Sequence, residues 1–128
     1  MQSATDEERA TTLAAIEYHK IPIETIPMIK EDLDKTKYIL IRHGLSTFNF
    51  KNLEVKDQFG NGSDEWRAVQ KDPTLIDPEL HPAGFMQCEA AHPVANSINF
   101  KVVFCSPMQR AIMTTIHMFK SHPNRANI

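Results

Sequence analysis

The sequence predicts an α/β fold built on a mainly parallel sheet. Three observations carry that expectation. Two short apolar runs, Tyr38-Ile39-Leu40-Ile41 and Val102-Val103-Phe104-Cys105, have the composition of strands buried on both faces. Each run stops abruptly in polar residues, at Arg42-His43-Gly44 and at Ser106-Pro107. Helical patterns lie between and after them, so the order reads strand, helix, helix, strand, helix, as in a sheet with helical crossovers.

Taken in order, the chain opens with a helix. Thr5 with Glu8 three residues later forms a capping box, and Ala10, Leu13, Ala14, Ile16 and Tyr18 follow in loosely helical spacing. That spacing gives a surface helix with a thin buried stripe. Pro22 and Pro27 end it, since each lacks an N–H and disfavours helix in the residue before it. Residues 21–29 then read as an extended connector and 30–37 as a charged loop. Residues 1–36 are therefore an N-terminal helix and connector, and residues 37–128 the domain itself.

The first strand ends at Gly44, which lets the backbone turn sharply or approach a ligand closely. Ser46 or Thr47 caps a short helix after it. Residues 52–72 are polar and contain Gly60-Asn61-Gly62-Ser63-Asp64, a strong turn signal, followed by a short helix around Glu65-Trp66-Arg67. Trp66 either walls a pocket or, as is commoner, staples this insertion onto the core. Residues 72–80, punctuated by Pro73 and Pro78, read as an extended surface segment. Pro82 opens a helix that Pro93 kinks or ends. After the second strand, Ser106 caps and Pro107 opens the last helix, with an apolar stripe of Ile112, Met113, Ile116 and Phe119.

Composition sets the outer bounds. The 128 residues are 41% hydrophobic and 23% charged, the balance of one ordinary soluble domain. A formal net charge of -2 gives no basic field, so nucleic acid is not an expected partner. No apolar run approaches the roughly 18 residues of a membrane span, and the acidic N-terminus lacks the composition of a signal or transit peptide. Cys88 and Cys105 are too few for a disulfide framework and read as reduced thiols, with the cytoplasm as default compartment. Cys88 and His92, four apart on a helix, lack a further ligand pair, so neither a metal nor a cofactor is expected.

The candidate site lies where the strands run out, the usual place for a ligand in an open α/β sheet. Arg42 and His43 directly follow the first strand, and Arg110 sits in the first turn or so of the helix after the second. If the strands are neighbours, two guanidiniums and one imidazole converge on a crevice suited to phosphate, whose oxygens match the arginine fork. Flanking positive charge favours the neutral ring with a free lone pair and stabilises the oxygens of a transferring phosphoryl group. The product would be a phosphohistidine.

Arg42-His43-Gly44-x-Ser46-x-x-Asn49 resembles the signature of the histidine phosphatase superfamily, the phosphoglycerate-mutase-like proteins. Asp77-x-x-Leu80-x-x-x-Gly84-x-x-Gln87 is similar to the family's second element, and Ser106-Pro107-Met108-Gln109-Arg110-Ala111-x-x-Thr114 to its third. The resemblance spans about residues 37 to 120 and implies a three-layer phosphoglycerate-mutase-like fold. It implies that His43 is the phosphorylated nucleophile, that Arg42 and Arg110 bind the phosphate, and that Asn49 and Ser46 contact phosphate or substrate. The implied partner is a small phosphorylated substrate or a phosphoprotein. Nothing in the pattern specifies an oligomeric state.

The sequence also departs from that pattern. Family members carry a second histidine and an acidic proton donor after the second arginine. Here eighteen residues follow Arg110, with His117 and His122 but no Asp or Glu. His81 stands where the family usually has threonine, and losing a good helix cap costs about 1 kcal/mol. The chain thus reads as the N-terminal part of such a domain, its C-terminal part absent: a truncated product, an incomplete gene model or a degenerate paralogue. Two functions follow. One is an enzyme of the phosphomonoesterase or phosphomutase type; the alternative is a catalytically dead phosphate-binding or interaction module.

Overall fold

Helices form wherever the sequence brings its own cap. The computed structural model describes residues 5–24, 35 and 37–127. In helix α1 (Asp6–His19), Thr5 N donates to Glu8 Oε2 at 2.8 Å and Glu8 N donates to Thr5 Oγ1 at 3.2 Å, closing the expected capping box. Its stop differs from the expectation. Lys20 adopts a left-handed conformation (φ 53°), and its N–H turns back to the Ile16 and Glu17 carbonyls before Pro22 is reached. Most of the expected connector and charged loop, residues 25–34 and 36, lies outside the described residues, as does Pro27.

Helix α2 (Thr47–Phe59) is capped by Ser46, whose Oγ accepts from Asn49 N at 3.1 Å, and is longer than the sequence suggested. The Gly60 and Gly62 turn, with φ of 92° and 81°, leads into α3 (Asp64–Gln70), capped by Ser63. Helix α3 packs on α2, with Trp66 half-buried. Residues 72–80 contain a 3-10 turn at Pro73–Leu75 held by Asp72, and bury Pro78 and Leu80, so this segment is less a surface strap than expected. Helix α4 (Pro82–Ala90) begins at Pro82, and Pro93 falls in the first turn of α5 (His92–Ser97), separating the two helices. The His81 ring replaces the threonine cap, its Nδ1 accepting from Ala83 N at 3.1 Å.

The expected sheet does not form, and the α/β class is corrected on this point. Among the described residues there is no strand, only an isolated antiparallel bridge between Ser46 and Leu80. Its bonds run from Thr47 N to the Glu79 carbonyl and from His81 N to the Leu45 carbonyl, each 2.9 Å. Residues 38–41 and 102–105 adopt no regular structure and do not pair, with Leu40 98% and Phe104 95% exposed. The reason is physical. A helix closes its hydrogen bonds within itself, whereas a strand exists only through a neighbour, so apolar composition alone cannot create one.

The last helix, α6 (Gln109–Met118), starts later than Ser106-Pro107 implied. Ser106 Oγ accepts from Met108 N at 3.4 Å, but Asp77 Oδ1 accepts from Gln109 N at 2.9 Å and caps the helix from a distant segment. Helix α4 packs against both α6 and α1. The core gathers Ala91, Ala95, Met118 and Phe119, with Phe100 and Val103 against it. His122 is buried there, its Nε2 donating to the Ile98 carbonyl at 2.8 Å and its Nδ1 accepting from Asn124 N at 3.1 Å.

Candidate active site

The segment from His43 to Leu45 is held by side chains from two helices. Gly44 N donates to Thr114 Oγ1 of α6 at 3.0 Å, and the same hydroxyl donates to the Arg110 carbonyl at 2.7 Å. Leu45 N donates to Gln87 Oε1 of α4 at 2.8 Å. Gly44 and Gly84 meet backbone to backbone: a Cβ on Gly44 would lie 3.0 Å from the Gly84 carbonyl oxygen, and one on Gly84 would collide with the Leu45 carbonyl. The bridge at Ser46 and Leu80 closes the loop's far end.

His43 Nδ1 lies 2.7 Å from the Gly44 carbonyl oxygen. A carbonyl only accepts, so Nδ1 carries the proton, and in the neutral ring Nε2 keeps its lone pair. His43, Ser46, Asn49 and Arg110 line one open cavity of about 290 Å³, with Phe48, Leu75, Ile76 and Pro78 as its apolar wall. Ser46 is 1% exposed and donates to Asn49 Oδ1 at 2.7 Å. Asn49 therefore keeps its amide N–H donors for a ligand, while Ser46 is committed to the cap.

Arg42 is placed differently from Arg110. It is exposed and lines a second cavity, about 390 Å³, together with His43 and Asn49 and with His19, Lys20 and Gln87. The two arginines thus attend adjoining cavities that share His43 and Asn49, where the sequence suggested a single crevice. Among the described residues no Asp or Glu lines either cavity.

His92 Nε2 donates to the His117 carbonyl at 2.7 Å, and burial pushes the Cys88 thiol up to about 11. Among the described residues no group of three or more His, Cys, Asp or Glu could hold a metal ion. Neither His117 nor His122 lines the His43 cavities. Trp66 lines neither as well, and its Nε1 is buried without a hydrogen-bond partner.

Sequence reasoning gave no role to Gln87, Thr114 or Asp77, though all three stand in the quoted motifs. Their fixed spacing from Gly84 and Arg110 was the available signal. His19 and Lys20 carried none, because they precede the motifs and reach the second cavity only through the packing of α1. Among the described residues no helix is long and apolar enough to cross a membrane. Comparison with curated proteins and with solved structures finds no match. The family model of the histidine phosphatase superfamily (branch 1) matches residues 38–126, which takes in all three motifs and the whole loop from Arg42 to Asn49. The chain belongs to the histidine phosphatase superfamily.

Proposed function

We propose that this chain takes a phosphoryl group from a phosphomonoester onto His43, as a phosphatase or phosphomutase does. The observation that carries the reading is the bond from His43 Nδ1 to the Gly44 carbonyl, which leaves Nε2 as a nucleophile in a cavity shared with Arg110 and Asn49. In the transfer the Nε2 lone pair forms the N–P bond as the ester P–O bond breaks. Arg110 and the Asn49 amide neutralise and orient the phosphoryl oxygens, and Arg42 adds positive potential from the adjoining cavity. Water or a second acceptor then takes the phosphoryl group and frees the ring. The apolar wall of Leu75, Ile76 and Pro78 offers a surface for the alcohol of a small substrate or for a phosphoprotein side chain.

One observation favours a weaker activity or none. The departing alkoxide needs a proton, and among the described residues no carboxyl group lines either cavity. General acid catalysis contributes roughly 10²–10⁴-fold, so turnover depends on how well the leaving group departs unaided. A non-catalytic phosphate-binding module is the limiting case. The test is to incubate the protein with an aryl phosphate of acidic phenol and with an alkyl phosphate, then map the label. An acid-labile phosphate on His43 is expected from the aryl ester, at a rate at least about 10²-fold above the alkyl ester. His43→Ala should abolish it. Label on any other residue, with none on His43, overturns the reading.

A further inference from the structure

We propose that Gln87 is the positioning residue for His43 and that it links the catalytic ring to the N-terminal segment. One peptide plane joins the two side chains. The Gly44–Leu45 peptide accepts from His43 Nδ1 through its carbonyl, at 2.7 Å, and donates to Gln87 Oε1 through its N–H, at 2.8 Å. These two groups point to opposite sides of a rigid planar unit, so fixing the N–H also fixes the direction of the carbonyl. Gln87 thereby sets which ring nitrogen of His43 bears the proton. The tautomer is a consequence of the hydrogen bond at Nδ1, and that bond is only as well aimed as the peptide supplying it.

The other end of Gln87 reaches out of the domain. Its Nε2 donates to the Pro22 carbonyl at 2.7 Å. Pro22 lies outside the residues that the family model matches. A continuous chain of hydrogen bonds therefore runs from Pro22 through Gln87 and the Gly44–Leu45 peptide to the His43 ring. An amide side chain suits this position because it both donates and accepts. The neighbouring peptide is pinned independently, by Thr114 on Gly44 N. Gln87 therefore governs the plane that faces the ring, and the docking of residues 21–22 steadies Gln87.

Three variants separate the two ends of the side chain. Gln87→Met removes both bonds at similar size. Gln87→Glu keeps an acceptor for Leu45 N and loses the donor to Pro22. Gln87→Lys keeps a donor and loses the acceptor. The first readout is the nitrogen-15 spectrum of the His43 imidazole in the unliganded protein, above pH 7, which reports the tautomer. Wild type and Gln87→Glu should show the proton on Nδ1, whereas Gln87→Met and Gln87→Lys should show a mixture. The second readout is amide exchange over residues 6–24, which should quicken in the Met and Glu variants and stay slow in the Lys variant. The third is His43 phosphorylation by an aryl phosphate, which should slow about tenfold in the Met variant, the factor one ordinary hydrogen bond sets.

This inference deepens the phosphohistidine reading, yet the tautomer is read without any substrate, so the two can fail separately. A wild-type protein that holds the Nδ1 proton but never takes up phosphate sinks the phosphoryl reading and leaves this one standing. An unchanged tautomer in whichever of the Met and Lys variants fold overturns the positioning role. Unchanged exchange over residues 6–24 in the Glu variant overturns the link to the N-terminal segment.

Discussion

A methyl group at position 84 has nowhere to go. Gly84 faces the Leu45 carbonyl so closely that a Cβ would overlap it, and the obstacle is backbone that cannot rotate aside. Gly84→Ala must push α4 away from the loop that carries His43, and overpacking of this kind costs typically about 1–3 kcal/mol. Gly44→Ala is milder, since its Cβ would sit 3.0 Å from the Gly84 oxygen and a small shift relieves it. Chemical denaturation should rank the midpoints wild type, Gly44→Ala, Gly84→Ala in falling order, and the reverse order for the two variants would contradict this account. The same shift breaks the bond from His81 N to the Leu45 carbonyl. From sequence, Gly84 was legible as a motif position but not for its reason. The reason is a backbone about forty residues away.

At the scale of elements, what could be read was what is encoded within a few residues. The Thr5 and Glu8 box, the Ser46 cap and Pro82 at a helix start all act over two to four positions, and each structures its helix. The start of α6 was misplaced because its cap is Asp77, in a segment separated by 32 positions. The cap at His81 was judged lost because threonine is absent, yet the imidazole supplies the acceptor itself. That substitution makes the cap titratable. Only a neutral ring can accept at Nδ1, and the ring stacks on Phe50 at 3.9 Å. Burial holds the His81 pKa below the ordinary histidine value, with Glu54 opposing.

The folded pKa being lower, the stability contributed by the neutral ring is complete above about pH 6.5 and lost as pH falls towards the depressed value. His117 is shifted the same way, by burial first and Lys120 second, and adds to the loss in the same window. Denaturation midpoints measured between pH 7.5 and pH 5 should therefore fall with acid. In His81→Asn, whose amide caps without titrating, the fall should be shallower. An equally steep fall in that variant would place the acid sensitivity elsewhere.

Over the whole molecule, the two runs that read as strands hold the two most exposed large apolar side chains among the described residues, Leu40 and Phe104. Leu40 and Phe104 are almost wholly in solvent, with Tyr38 76%, Val102 61% and Ile116 60% exposed. Their backbone amides stay free of any ladder, so each run offers unpaired N–H and C=O groups beside apolar side chains. That combination is the template on which chains add to one another edge to edge. The sequence pattern was thus a true record of burial demand and a poor record of structure, because the demand is met only when a neighbouring strand arrives. Helices α4, α5 and α6 close a small core without either run joining a sheet. The molecule should therefore associate with rising concentration and bind a hydrophobic dye in its native state. Placing lysine at two of these positions, as Leu40→Lys with Phe104→Lys, should suppress both effects, since a charge on an edge opposes pairing. Neither side chain lines the His43 cavities, so His43 labelling serves as the check that the site persists. Sedimentation velocity across a concentration series decides the matter. A wild-type chain that sediments as a monomer throughout and leaves the dye dark would mean that these segments are covered in solution.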